Sequence, residues 1–118
     1  MKNLIAVLLT ALLPLLAGAA EHEQSPSAFW LGQNYPNPFN PTTTIPYTLS
    51  QTTTVRLIVY DLLGKQVRLL VDEEQPAGNY QVIWNGLDDS QRAASAGIYF
   101  CKMSAAHDEV MRRMVLIR

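Results

Sequence analysis

Past a proline-rich stretch, hydrophobic and polar positions alternate for most of the remaining chain. Thr44 to Leu49 is a short run of β-forming residues. In Thr53 to Asp61, Val55, Leu57 and Val59 fall on one side of the pattern, with Arg56 and Tyr60 on the other. A period of two with β-branched residues predicts a strand, because successive side chains of an extended backbone point to opposite faces. Leu62-Leu63-Gly64 predicts a tight reversal, with Gly64 free to take positive φ. Lys65 to Val71 is the expected return strand of a hairpin, with Val67, Leu69 and Val71 on one face. Asp72 to Gly78 reads as a polar turn closed by Pro76 and Gly78. Asn79 to Trp84 alternates again, with Tyr80, Val82 and Trp84 together. Asn85 to Ala96 is a long polar loop. Gly97 opens the next strand, Ile98 to Met103, with Tyr99, Cys101 and Met103 facing a core. Ala105 to Glu109 is a short turn, and Val110 to Ile117 the last strand.

These six or seven short strands, with turn signals between them and no sustained helical period, predict an all-β sandwich. Four prolines precede or enter the first of them: Pro36, Pro38, Pro41 and Pro46. Each presses the residue before it (Tyr35, Asn37, Asn40, Ile45) into extended backbone. Such a segment lacks ladder donors and can lie along a sheet edge, blocking edge-to-edge association. Phe39, set among the prolines, is placed to plug one end of the sandwich. Pro38 to Pro41 spells P-x-x-P, but SH3-type recognition does not suit an exported chain.

Export is expected from the N-terminus. MKNLIAVLLTALLPLLAGAA carries Lys2, an apolar run from Leu4 to Leu16, and Ala17 and Ala19 at the spacing of a signal-peptidase site. The apolar run falls short of the roughly 20 residues a membrane-spanning helix needs. A cleavable signal peptide over residues 1–19, a flexible leader over 20–30 and a folded domain over 31–118 follow.

Composition narrows the functional classes. Nine Lys and Arg stand against ten Asp and Glu, so no basic footprint for nucleic acid is expected. Cys101 is the only cysteine, which excludes an intramolecular disulfide and a multi-cysteine metal site; its apolar run predicts an inert, buried thiol. His22 and His107 belong to no nucleophile–base constellation, so no enzyme, cofactor or small-molecule substrate is expected. Asp88-Asp89-Ser90 offers oxygen ligands for Ca²⁺, but an ordinary Asx-type turn is the favoured reading. Asp72-Glu73-Glu74 reads as a solvated turn.

Five blocks carry a resemblance. LGQNYPNPFNPTTTIPYTL, VRLIVYDLLGKQVRLLV, AGNYQVIWNGLDDS, AGIYFCKM and RRMVLIR together resemble the type A C-terminal sorting domain of the type IX secretion system, a pattern shared with the immunoglobulin-like domain of flagellar hook-capping proteins. The resemblance runs from Leu31 to Arg118. It implies an immunoglobulin-like or fibronectin-like Greek-key β-sandwich of about seven antiparallel strands that serves as an address. Such a domain is recognised in the periplasm by an outer-membrane translocon of Bacteroidota-like bacteria, and a sortase commonly removes it and anchors the cargo at the cell surface. The positions it implies for recognition are Asn37, Pro38, Phe39, Gly64, Gly97, Tyr99, Arg112, Arg113, Met114, Leu116 and Arg118. The chain departs from the family where Gln91 stands in place of a frequent glycine and Cys101 in place of an aromatic or aliphatic residue. Only residues 20–30 lie between the expected cleavage site and the domain, so no cargo is expected there. The competing expectation is a stand-alone hook-capping-like or adhesion scaffold. The signal peptide favours sorting, since hook-capping proteins leave through the flagellar channel.

Overall fold

A computed structural model describes residues 28–118. The expected signal peptide and residues 20–27 of the expected leader lie outside the described residues. Seven strands form: β1 (Phe29–Leu31), β2 (Thr43–Leu49), β3 (Thr53–Asp61), β4 (Gln66–Gln75), β5 (Gly78–Trp84), β6 (Gly97–Ala105) and β7 (Asp108–Leu116). One sheet has the order β1-β2-β5, the other β4-β3-β6-β7, and every strand pair is antiparallel. The chain is an all-β sandwich, as the alternation predicts, and immunoglobulin-like, as the resemblance implies.

The inner faces of β3, β5 and β6 are the expected ones. Val55, Leu57 and Val59 of β3, Trp84 of β5, and Tyr99, Cys101 and Met103 of β6 are all buried. The Cys101 thiol sits among them, and burial pushes its pKa up to about 12. Trp84 is the hub of the core. Its ring lies 5.6 Å from that of Phe39 and 5.4 Å from that of Tyr99, tilted and edge-on respectively. Aromatic pairs in such geometries add about 0.5–1.5 kcal/mol each beyond area burial. Phe39 is therefore the apolar plug that its place among the prolines predicts.

The structure departs from expectation in β1 and β4, and β7 begins at Asp108, two residues before the expected Val110. The sandwich begins before Leu31: Phe29 and Leu31 are buried and pair β1 with β2, so Phe29 and Trp30 belong to the sheet and not to a leader. Strand β4 runs on through Asp72–Gln75, where a turn was expected, because these residues pair with Thr53 to Arg56. Within β4 the register shifts twice against β3, between Leu57 and Ile58 and between Val59 and Tyr60. An extra residue in one strand flips the faces that follow. Val67, Leu70 and Val71 accordingly pack on the core, whereas simple alternation would send Leu69 there instead of Leu70.

Pro46 lies in the middle of the central strand β2, not on an edge. It accepts a hydrogen bond from Gly32 N at 2.9 Å, and an N–H there would have pointed back to the same neighbour. The missing donor thus faces the end of short β1, while the ladder from β2 to β5 is undisturbed.

Candidate recognition surface

The proline-rich segment is folded by its own buried polar groups. Asn34 is 3% exposed and Thr43 1% exposed. Asn34 Nδ2 donates to Thr43 Oγ1 at 2.9 Å and to Pro36 O at 3.2 Å, and Thr43 Oγ1 donates to Pro36 O at 2.9 Å. Tyr35 and Thr44 exchange two backbone bonds of 2.9 Å. The segment then turns along the open edge of β7. Val115 N donates to Asn37 Oδ1 at 3.0 Å; Phe39 N donates to Val115 O and Ile117 N to Phe39 O, both at 2.9 Å. Upstream, Gln33 Nε2 donates to Arg113 O at 2.8 Å and Arg112 Nε to Leu31 O at 3.0 Å. A strand edge that would otherwise present free ladder groups is covered, as the prolines suggest.

The chain terminus ties in the long loop after β5. Arg118 donates to Ala94 O through Nε at 3.0 Å and Nη2 at 2.7 Å, and reaches Gly86 O at 3.5 Å. Gly86 has φ 78°, and a Cβ there would stand 2.9 Å from Pro41 O, so only glycine lets the loop and the proline-rich segment meet. The loop is ordered despite its polarity. Asp88 Oδ1 accepts from Ser90 N and Arg92 N, both at 2.9 Å, which is the expected Asx-type turn. Asp89 extends the edge of β4: its N–H donates to Val67 O, and Oδ1 accepts from Leu69 N, both at 2.9 Å.

Two measurable consequences arise in this loop. The Asp89 carboxyl is held below the usual carboxylate range, first by the Leu69 N–H and then by the Gln66 side chain. A depressed folded-state pKa contributes stability above the unfolded value of about 3.9, lost as the pH falls through the folded one. Thermal melts of the wild type and of Asp89→Asn should therefore differ at pH 6 and converge at pH 2. Gln91, for its part, has φ 65°. That left-handed backbone costs a side-chain-bearing residue about 1 kcal/mol, which explains the glycine frequent here in the family it resembles. Gln91→Gly should raise the urea midpoint modestly, and an unchanged or lower midpoint would remove that explanation.

The register brings some of the eleven sequence-derived positions toward one end of the sandwich and leaves Arg112 and Arg113 opposite the middle of β6. Gly97 pairs with Leu116, Tyr99 with both Asp61 and Met114, and Arg112 with Cys101. Gly64, with φ 86°, sits in the reversal after Asp61, whose Oδ1 accepts from Leu63 N and Lys65 N. Side chains divide sharply by burial. Phe39, Tyr99, Met114 and Leu116 are core residues, while Asn37, Pro38, Arg112, Arg113 and Arg118 are exposed. Tyr99 stands two residues before Cys101 at the start of β6, and its hydroxyl donates to Ser95 O four residues upstream. This is the tyrosine corner of immunoglobulin-like sandwiches, a structural device. Asn34, Gln33 and Gly86 are not among the expected recognition positions, although all three stand inside blocks that carry the resemblance.

The family model for the FlgD Ig-like domain matches residues 40–109, more than half of the chain. The chain belongs to the FlgD Ig-like domain family. The matched stretch of this FlgD Ig-like domain starts just after Phe39 and stops before Arg112, so Asn37 to Phe39 and Arg112 to Arg118 lie beyond it, while Gly64, Gly97 and Tyr99 lie within it. No curated protein matches the sequence. Among solved structures, latent dimeric PorU from Porphyromonas gingivalis is similar at 12% identity and a TM-score of 0.62, over 79% of this chain and 10% of PorU. PorZ, a surface component of the type IX secretion system of the same bacterium, shares 22% identity at a TM-score of 0.49, over 76% of this chain and 11% of PorZ. The DNA glycosylase AlkC of Pseudomonas fluorescens shares 12% identity at a TM-score of 0.53, over 80% of this chain and 32% of AlkC. The likenesses to PorU and AlkC are of fold alone, and the chain spans about a tenth of the length of PorU.

Proposed function

We propose that this FlgD Ig-like domain is a non-catalytic sorting module of the type IX secretion system. A signal peptide over residues 1–19 takes the chain across the inner membrane. The assembled end of the sandwich is then offered to an outer-membrane translocon, with a sortase as a further partner, and the destination is the cell surface or the medium. The observation that carries this reading is the docking of Asn37 and Phe39 onto Val115 and Ile117. Two motifs far apart in sequence, both named by the resemblance, meet along the edge of β7, and Asn37, Pro38, Arg112, Arg113 and Arg118 are exposed on the surface around it. That surface exists only in the folded domain, which suits an address read after the chain reaches the periplasm.

The test is a reporter inserted between residues 27 and 28, ahead of β1, in a host that carries the secretion system. Surface or medium delivery that disappears when the translocon is deleted is the expected result. A folded fusion that stays in the periplasm would leave the second reading, a hook-capping-like or adhesion scaffold, whose hook-capping-like form the family match supports about equally. That reading calls for the fusion to co-purify with an extracellular assembly instead.

A further inference from the structure

Charge is divided unevenly between the two sheets. No Asp, Glu, Lys or Arg occurs from Ala28 to Val55 or from Pro76 to Leu87, so β1, β2 and β5 carry none. Every charged residue among the described residues lies on the other sheet, its turns, the loop after β5 or the C-terminus. The outer face of the uncharged sheet is nevertheless open. Register places Trp30, Thr48 and Asn79 in one row, Pro46 beside Gln81 in the next, and Thr44 between Tyr35 and Ile83 in a third. Trp30 is 54% exposed, Tyr35 49% and Ile83 63%.

The polar groups on this face are oriented and only partly used. Thr48 Oγ1 donates to Asn79 Oδ1, and Gln81 Nε2 donates to the Tyr35 hydroxyl oxygen, both at 2.9 Å. Among the described residues, the Asn79 amide N–H groups, Gln81 Oε1 and the Tyr35 hydroxyl hydrogen are left to bond outward. The indole of Trp30 is held in place from below. A Cβ on Gly32 would stand 2.5 Å from Trp30 Cη2 and 2.8 Å from Pro46 Cγ, so the ring lies across a position kept free of a side chain. A groove of about 500 Å³ runs from Trp30 past Pro46 to Asn79 and Gln81.

We propose that this face binds a neutral oligosaccharide. Exposed aromatic rings offer flat apolar surface to the C–H faces of pyranose rings, and amides and hydroxyls placed between them meet sugar hydroxyls as both donor and acceptor. The lack of charge selects the ligand class. A nucleic acid or an anionic membrane calls for Lys and Arg, and neither occurs on these strands. A purely apolar partner would leave Asn79, Gln81 and Thr48 desolvated without partners. From Thr48 to Thr44 is about 13 Å along the strand, so the face accommodates a short chain of sugars rather than one ring. This inference does not depend on the sorting role.

Affinity electrophoresis of the full chain in gels containing mannan, galactomannan or mixed-linkage β-glucan tests it, with tryptophan fluorescence as the second readout. Trp84 is fully buried, so a ligand-induced spectral change reports Trp30. At least one of these neutral polysaccharides should retard the wild type, insensitively to added salt. Trp30→Ala should weaken binding at least ten-fold. Gly32→Ala, which keeps the indole but displaces it, and Gln81→Ala should each weaken it several-fold; unchanged near-ultraviolet circular dichroism in Gln81→Ala keeps the test independent of folding. The proposal falls if none of the three retards the wild type, if retardation survives Trp30→Ala, or if only an acidic polysaccharide binds and does so salt-dependently. It also falls if sedimentation shows a dimer that Trp30→Ala dissociates, since the face would then be covered by a second copy.

Discussion

Phe39→Ala should lower the melting temperature by about 15 °C or more. The ring is 1% exposed and closes the end of the core against Trp84, which in turn meets Tyr99. Truncating a buried phenylalanine costs about 3–5 kcal/mol, through lost transfer energy and the cavity left behind. In a domain of this size each kcal/mol shifts the midpoint by about 4–8 °C. The backbone of the same residue pins β7 through bonds to Val115 and Ile117, so loosening the ring also frees an edge. The loss should thus exceed that of Leu49→Ala, an equally buried position at the end of a regular three-strand ladder. Phe39→Leu should cost far less, because most of the volume is retained. Scanning calorimetry of the three variants checks the ordering; a drop of only a few degrees for Phe39→Ala would mean that the plug does not anchor this end.

What the sequence made legible follows from burial. β3, β5 and β6 each present one face to the core, and alternation is a direct record of that arrangement. β1 left no such record: Phe29-Trp30-Leu31 is too short to show a period and follows a polar stretch. Its role is visible only when Leu49 and Tyr47 are seen opposite it. The two irregularities in β4 are equally silent, since Val67 to Val71 contains no glycine or other bulge signal. Pro46 misleads for a physical reason. The rule against proline in a central strand concerns the donor it lacks, and here that donor would have pointed to where β1 ends.

The end of the sandwich was legible in its parts and not in its assembly. The proline-rich motif and the basic-apolar terminus both stand out in sequence. Nothing in their spacing says that Asn37 takes the place of a ladder partner for Val115, or that Arg118 closes a loop more than twenty residues upstream. Those bonds depend on two sheets being stacked first. The same holds for the uncharged face, whose residues lie in three separate segments and share a plane only once β2 is flanked on both sides.

Deleting Met114–Arg118 should prevent the domain from folding, and loss of export in that truncation would say nothing about recognition. Met114 and Leu116 are 0% and 1% exposed, and the same five residues supply the edge that holds Asn37 and Phe39. Arg118 adds a charge-assisted contact to Ala94 O, two N–H groups on one acceptor, worth about 1.5–3 kcal/mol in all. The sum exceeds the marginal stability of a small domain. Arg113 separates the two roles. Its side chain is exposed and makes no hydrogen bond or ion pair among the described residues; only its carbonyl is used, by Gln33. Arg113→Glu should therefore shift stability by no more than about 0.5 kcal/mol. If the assembled end is read through its arginines, the same substitution should cut surface delivery of the reporter at least ten-fold, and Arg113→Lys should restore most of it. Equal delivery by wild type and Arg113→Glu, at equal melting temperature, would remove Arg113 from the recognition surface and leave Asn37, Pro38, Arg112 and Arg118 to account for it.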